Sequence, residues 1–154
     1  MREYDVPEAS VQFVLGDVFE ELERLEPGII QTVFCFGFLY HTMHHMLLLS
    51  KLARLRPSHL ILDTRIDTDP DCIIDVHDEP VSLEASGAVP DLGAPTRTVV
   101  GLPTKSALEL MLSSSGFASF RYYDWQGAGV KRWDELDDYH EGERVSMVAT
   151  WKGA

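Results

Sequence analysis

The chain has 154 residues, 45% of them apolar, enough to bury a real core, and its length suits one domain better than two. Thirteen Lys and Arg stand against 25 Asp and Glu, a formal net charge of -12, so a broad basic surface for phosphate backbones is excluded and nucleic acid is a poor expectation. No apolar run reaches the ~18 residues needed to span a bilayer and the opening residues MREYDVPEAS are too acidic and polar for a signal peptide, so a soluble, cytoplasmic protein with no membrane association is expected.

In chain order, Val11 to Leu15 reads as a short β-strand closed by Gly16 and Asp17. Val18, Leu22 and Leu25 then recur at helical spacing until Pro27 and Gly28 stop the helix. Gln31 to Phe36 is an apolar strand, followed by a turn carrying Gly37, Tyr40 and His41. From about Met43 to Leu55 the spacing predicts a leucine-rich helix with Lys51, Arg54 and Arg56 near its positive-preferring end, and Pro57 forbids its continuation. A second apolar strand ends at Asp63. Together these form a βαβ unit whose strands are apolar enough for the inside of a parallel sheet.

Between Asp67 and Thr98 the pattern breaks. Six acidic residues lie from Asp67 to Glu79, then Gly87, Pro90, Gly93 and Pro95, with only Cys72 to Val76 strand-like, which reads as an insertion over one end of the sheet. Order returns at Val99: Thr104 or Ser106 caps a helix, Glu109 completes a capping box with Ser106, and Gly116 suits the left-handed position past its end. Phe117 to Asp124 and Arg144 to Trp151 are the last strands, joined by a polar connection that carries aromatic residues. Cys35 in an apolar strand and Cys72 in an acidic loop form no redox or metal motif.

The segments FGFLYHTMHHMLLLSKLARLRP and VVGLPTKSALELMLSSSGF, set in the order strand, helix, strand, helix, strand, insertion, helix, strand, strand, resemble the C-terminal portion of class I S-adenosylmethionine (SAM) methyltransferases over nearly the whole chain. Within that family they look most like the branch of the tRNA wobble-uridine modifying enzymes and related small-molecule methyltransferases. The resemblance implies an α/β fold with a Rossmann-like sheet, helices on both of its faces and a C-terminal antiparallel hairpin. It also implies a SAM cofactor site: an adenine amino group donating to Asp17 after Gly16, the Val18 amide facing the adenine ring, and Phe36, Gly37 and Tyr40 beside the donor's methionine end. The bland alternatives are that Asp17 merely caps the following helix, as Asp does well, and that Tyr40 packs inside a tight turn.

Methyl transfer from a sulfonium needs alignment and, for an oxygen or nitrogen acceptor, a base. His41, His44 and His45 are the candidates because imidazole titrates near neutral pH, with His41 preferred and His45 second. His41 and His45 share one helical face, but no third ligand supports a metal, and none is expected. Trp125, Trp133, Tyr122, Tyr123 and Tyr139 are candidates to wall an acceptor pocket, and Asp75, His77, Asp78 and Glu79 form an acidic loop.

The glycine-rich strand-loop-helix that opens such enzymes does not precede Val11, so the N-terminal βαβ portion is expected to be missing and one sheet edge to be unpaired. The expected whole is a single partial domain with an insertion at about 67-98. Its expected function is SAM-dependent methyl transfer to a small molecule, sugar or other acceptor, with a second copy or a partner chain completing the sheet. The alternative is a non-catalytic, methyltransferase-like partner subunit that does not bind SAM alone.

Overall fold

The computed structural model describes residue 7 and residues 10–81, 96–134 and 136–153; Gly87, Pro90, Gly93 and Pro95 of the expected insertion lie outside the described residues. Among the described residues, four helices and six strands run in the order α1 (Val18–Arg24), β1 (Thr32–Phe36), α2 (His45–Arg54), β2 (His59–Arg65), β3 (Ile74–Pro80), β4 (Arg97–Pro103), α3 (Lys105–Ser114), β5 (Phe117–Tyr122), α4 (Asp137–His140) and β6 (Arg144–Trp151). A 3-10 turn, Leu39–His41, joins β1 to α2.

The main sheet has the order β1-β2-β6-β5. β1 and β2 are parallel, as expected for a βαβ unit, and β6 runs antiparallel to both β2 and β5. β3 and β4 form a separate two-stranded antiparallel sheet, so the acidic insertion supplies one strand of a hairpin. That strand begins at Ile74, later than the strand-like run at Cys72.

Alternation along the strands decides what lies where. Val33 and Cys35 of β1, Leu60 and Leu62 of β2, and Met147, Ala149 and Trp151 of β6 point to one side, where they pack with Phe19 and Leu22 of α1, Leu48, Leu49 and Leu52 of α2, and Leu108, Met111 and Leu112 of α3. All three longer helices therefore share one core on one face of the sheet. Among the described residues only the four-residue α4 meets the other face, where its Tyr139 hydroxyl donates to Asp63, so helices lie on both faces but very unequally. The opposite face carries the row Phe34, Ile61 and Val148 across the three paired strands, and at its β1 end Phe34 is 65% exposed.

Val11 to Leu15 is not a strand, a second correction. A strand exists by its ladder hydrogen bonds, and no described strand lies beside these residues; Phe13, Val14 and Leu15 are exposed instead.

Helix ends follow local chemistry. Arg54 of α2 donates to the carbonyls of Leu22, Glu23 and Leu25 and so pins the end of α1. Thr104, not Ser106, caps α3 by accepting from the Ala107 amide at 3.3 Å; Glu109 accepts from the Tyr122 hydroxyl at 2.9 Å and is no part of a capping box. β5 stops at Tyr122, two residues before the expected Asp124.

Candidate functional site

The carboxyl ends of β1 and β2 lie side by side, and because β6 runs the other way its first residues meet them: Asp63 pairs with Ser146 and Arg65 with Arg144. Ligands of open α/β sheets sit at this edge. Asp63 lies near the end of β2, which runs two residues past it to Arg65, and its carboxylate accepts from the Tyr139 hydroxyl at 2.7 Å, from Arg144 Nη1 at 2.9 Å and from the Ser146 hydroxyl. Arg144 also donates to the Tyr40 hydroxyl at 3.3 Å and to Asp138 at 3.3 Å. Against a burial penalty, the contacts with Tyr40 and Asp63 raise the Arg144 pKa, so the guanidinium stays charged. Burial, with Asp63 as acceptor, pushes the Tyr139 hydroxyl up to about 12, so it remains a donor.

The loop after β1 reaches the same cluster. Gly37 has φ of +64°, a left-handed value that favours glycine, and its amide donates to the Asp63 carbonyl at 2.9 Å. A Cβ at Gly37 would meet no atom within 4 Å, so the space beside this backbone is open. Phe36 is exposed at the β1 edge. Tyr40 is half-buried, its ring 4.0 Å from that of His41. His41 Nδ1 faces Glu79 Oε2 of β3 at 3.8 Å, beyond hydrogen-bond reach. Burial lowers the His41 pKa, with the charge of Glu79 opposing and those of Arg144 and Arg65 reinforcing the fall.

His45 sits elsewhere. Its ring is 2% exposed in α2, with Nε2 donating to the Gly101 carbonyl of β4 at 3.1 Å, and burial lowers its pKa. Gly101 is needed for this approach: a Cβ there would lie 2.9 Å from both the His45 ring and the Met43 sulfur. His41 belongs to the 3-10 turn and His45 to α2, so they do not share a helical face. Among the described residues, no group of three or more His, Cys, Asp or Glu is arranged to hold a metal.

Asp17 caps α1: its Oδ1 accepts from the Phe19 amide at 2.9 Å and the Glu20 amide at 3.0 Å. Gly16 and Val18 flank it on exposed backbone. The expected aromatic group divides. Trp125 meets Tyr123 edge-on at 4.8 Å and the tilted ring of Tyr139 at 4.4 Å, and it donates to Ser146, beside Asp63. Tyr122 turns toward α3 and Trp133 pairs with His140. The acidic residues also divide: Asp75 pairs with His77, Asp78 with Arg97, and Glu79 turns inward to His41.

Sequence reasoning assigned no role to Asp63, Arg144 or Ser146. One signal was available: a carboxylate closing the apolar run HLILD at the functional edge of a parallel strand.

No family model and no curated protein matches the chain. Solved structures similar to it include the N-terminal domain of EvdMO1 in the presence of SAH and D-fucose, at 18% identity over 84% of this chain and 51% of that one with a TM-score of 0.48. A Burkholderia thailandensis 1,6-didemethyltoxoflavin-N1-methyltransferase is 10% identical over 84% of this chain and 48% of that one, TM-score 0.47. The glycopeptide N-methyltransferase MtfA complexed with SAM is 13% identical over 88% of this chain and 58% of that one, TM-score 0.47. The chain spans about half the length of these proteins. Among the described residues no helix is long and apolar enough to cross a membrane.

Proposed function

We propose that this chain is part of a SAM-dependent methyltransferase and supplies the acceptor side of its site. The observation that carries the proposal is the open left-handed turn at Gly37, at the carboxyl end of β1, beside a half-buried polar cluster built from Asp63, Arg144, Tyr139 and Ser146. The sequence resemblance supports the same edge, since it directs the donor's methionine end to Phe36, Gly37 and Tyr40 and its adenine to Gly16, Asp17 and Val18. Asp17 uses Oδ1 for its cap, so Oδ2 is the oxygen offered to the adenine amine.

Bound SAM would supply an electrophilic methyl carbon. The chain would orient the acceptor against the Trp125 and Tyr139 rings, with His41 taking the acceptor's proton. The neutral imidazole favoured by burial suits that task. His45, withdrawn into the core, serves α2 packing. The acceptor fits a small molecule or sugar better than nucleic acid, given the net charge of -12.

The edge of β1, unpaired among the described residues, and the exposed Phe34 and Phe36 favour completion of the sheet by a second copy or a partner chain. They equally favour the second reading, a methyltransferase-like subunit that does not bind SAM unaided. Calorimetric titration with S-adenosylhomocysteine separates the two. The enzyme proposal expects saturable binding that weakens about tenfold or more in Asp17→Ala, the size expected for one charged hydrogen bond. Absence of binding in a folded sample turns the assignment to the partner subunit.

A further inference from the structure

We propose that Glu79 is a positioning residue for His41: it accepts a hydrogen bond from the imidazole Nδ1–H and so leaves Nε2 free to accept a proton from the methyl acceptor. The inference rests on the methyl-transfer assignment above and names a partner that the resemblance does not supply.

The two side chains arrive from separate elements. His41 ends the 3-10 turn after β1, and Glu79 lies near the end of β3, opposite Thr98 of β4. Nδ1 of His41 and Oε2 of Glu79 face each other at 3.8 Å, both atoms are buried, and neither has a hydrogen-bond partner among the described residues. Buried polar atoms are almost always paired, so two unpaired atoms of opposite hydrogen-bonding character, about 1 Å beyond bonding distance, define a contact that a small shift completes. Glu79 belongs to the two-stranded β3-β4 sheet, which is not hydrogen-bonded as a strand to the main sheet, so a displacement of this size need not disturb the core.

The surrounding charges make Glu79 the carboxylate available to this ring. Arg144, which faces His41 from β6, is engaged by Asp63, Asp138 and Tyr40. Arg65, which faces it from β2, is engaged by Glu143 and Asp138. Tyr40, from the same turn as His41, presents its ring at 4.0 Å. With Nδ1–H held by Glu79, Nε2 carries the lone pair. As the acceptor–carbon bond forms and the sulfur–carbon bond breaks, sulfur keeps the bonding pair and the acceptor's proton passes to Nε2. Glu79 remains a carboxylate throughout and stabilises the imidazolium.

The test is nitrogen-15 NMR of the His41 imidazole in the full chain, without added donor, across pH in wild type, Glu79→Gln and Glu79→Leu. The proposal expects the wild-type neutral ring to carry its proton on Nδ1. It expects His41 to titrate at lower pH in both variants, and the proton to move toward Nε2 in Glu79→Leu. A His41 titration and tautomer that match wild type in Glu79→Gln overturn it, and this near-isosteric variant keeps the test decisive if Glu79→Leu does not fold. Titration with S-adenosylhomocysteine on the same samples reads the site assignment separately: lost donor binding with an intact Glu79 effect refutes the assignment, not the pair.

Discussion

Asp63 is the residue on which the carboxyl edge turns. Three donors converge on a side chain that is 13% exposed, and one of them is the Arg144 guanidinium. Asp63→Ala would leave that cation in a half-buried site without its main counter-charge, and removing one partner of such a pair costs about 3 kcal/mol or more. Urea denaturation is expected to register that loss, and a change below about 1 kcal/mol would show that solvent already screens the pair. Asp17→Ala is a milder change. It removes the cap of α1 and should cost about 1 kcal/mol by the same measurement, separate from its effect on donor binding. Asp17 was legible as a cap because its position before a helical period is a local signal. The convergence on Asp63 was not legible, since Tyr139, Arg144 and Ser146 lie 76 to 83 positions away in sequence.

Elements were read well wherever hydrophobic period decided them. β1, α2, β2, α3 and β6 all fall within a few residues of their expected bounds, because apolar runs and leucine spacing match the structures that bury them. Val11 to Leu15 failed although its composition is strand-like, because pairing and not propensity makes a strand. The histidines of HTMHH failed differently: one sequence run is divided between a 3-10 turn and a helix, which sends His41 to the edge and His45 to the core. The α2–β4 contact through His45 predicts a pH dependence. Its folded pKa lies below the ordinary 6.5, as does that of His41, so in the window below 6.5 the unfolded chain binds more protons than the folded one. Stability should therefore be fully present above pH 6.5 and fall as the solution is acidified through that window. His45→Gln, whose amide can still donate to Gly101, should flatten the fall seen in midpoint denaturant concentration; an unchanged slope would assign it to other groups.

For the molecule as a whole, the outstanding feature is a sheet whose longer helices cover one face and whose other face is open at its β1 end. α1, α2 and α3 occupy one side, while Phe34 and Phe36 remain exposed on the other beside the β1 edge, which is unpaired among the described residues. Sequence pattern could not reveal this: both strands of the βαβ unit read as apolar on both sides, which normally means burial on both. An edge strand with exposed aromatics recruits a neighbour. Light scattering is expected to give a multiple of the chain mass for wild type and the monomer mass for Phe34→Glu. A wild-type monomer would remove self-association and leave a separate partner chain as the covering element.

The central claim is that the donor binds where β1 and β2 end. Backbone amide NMR during addition of S-adenosylhomocysteine tests it most directly. The account predicts saturable shifts at Val18, Gly37, Phe38 and His41. Shifts confined to the cleft at the other end of the strands, around Ser50, Ser114 and Trp151, or no shifts from a folded sample, would contradict it.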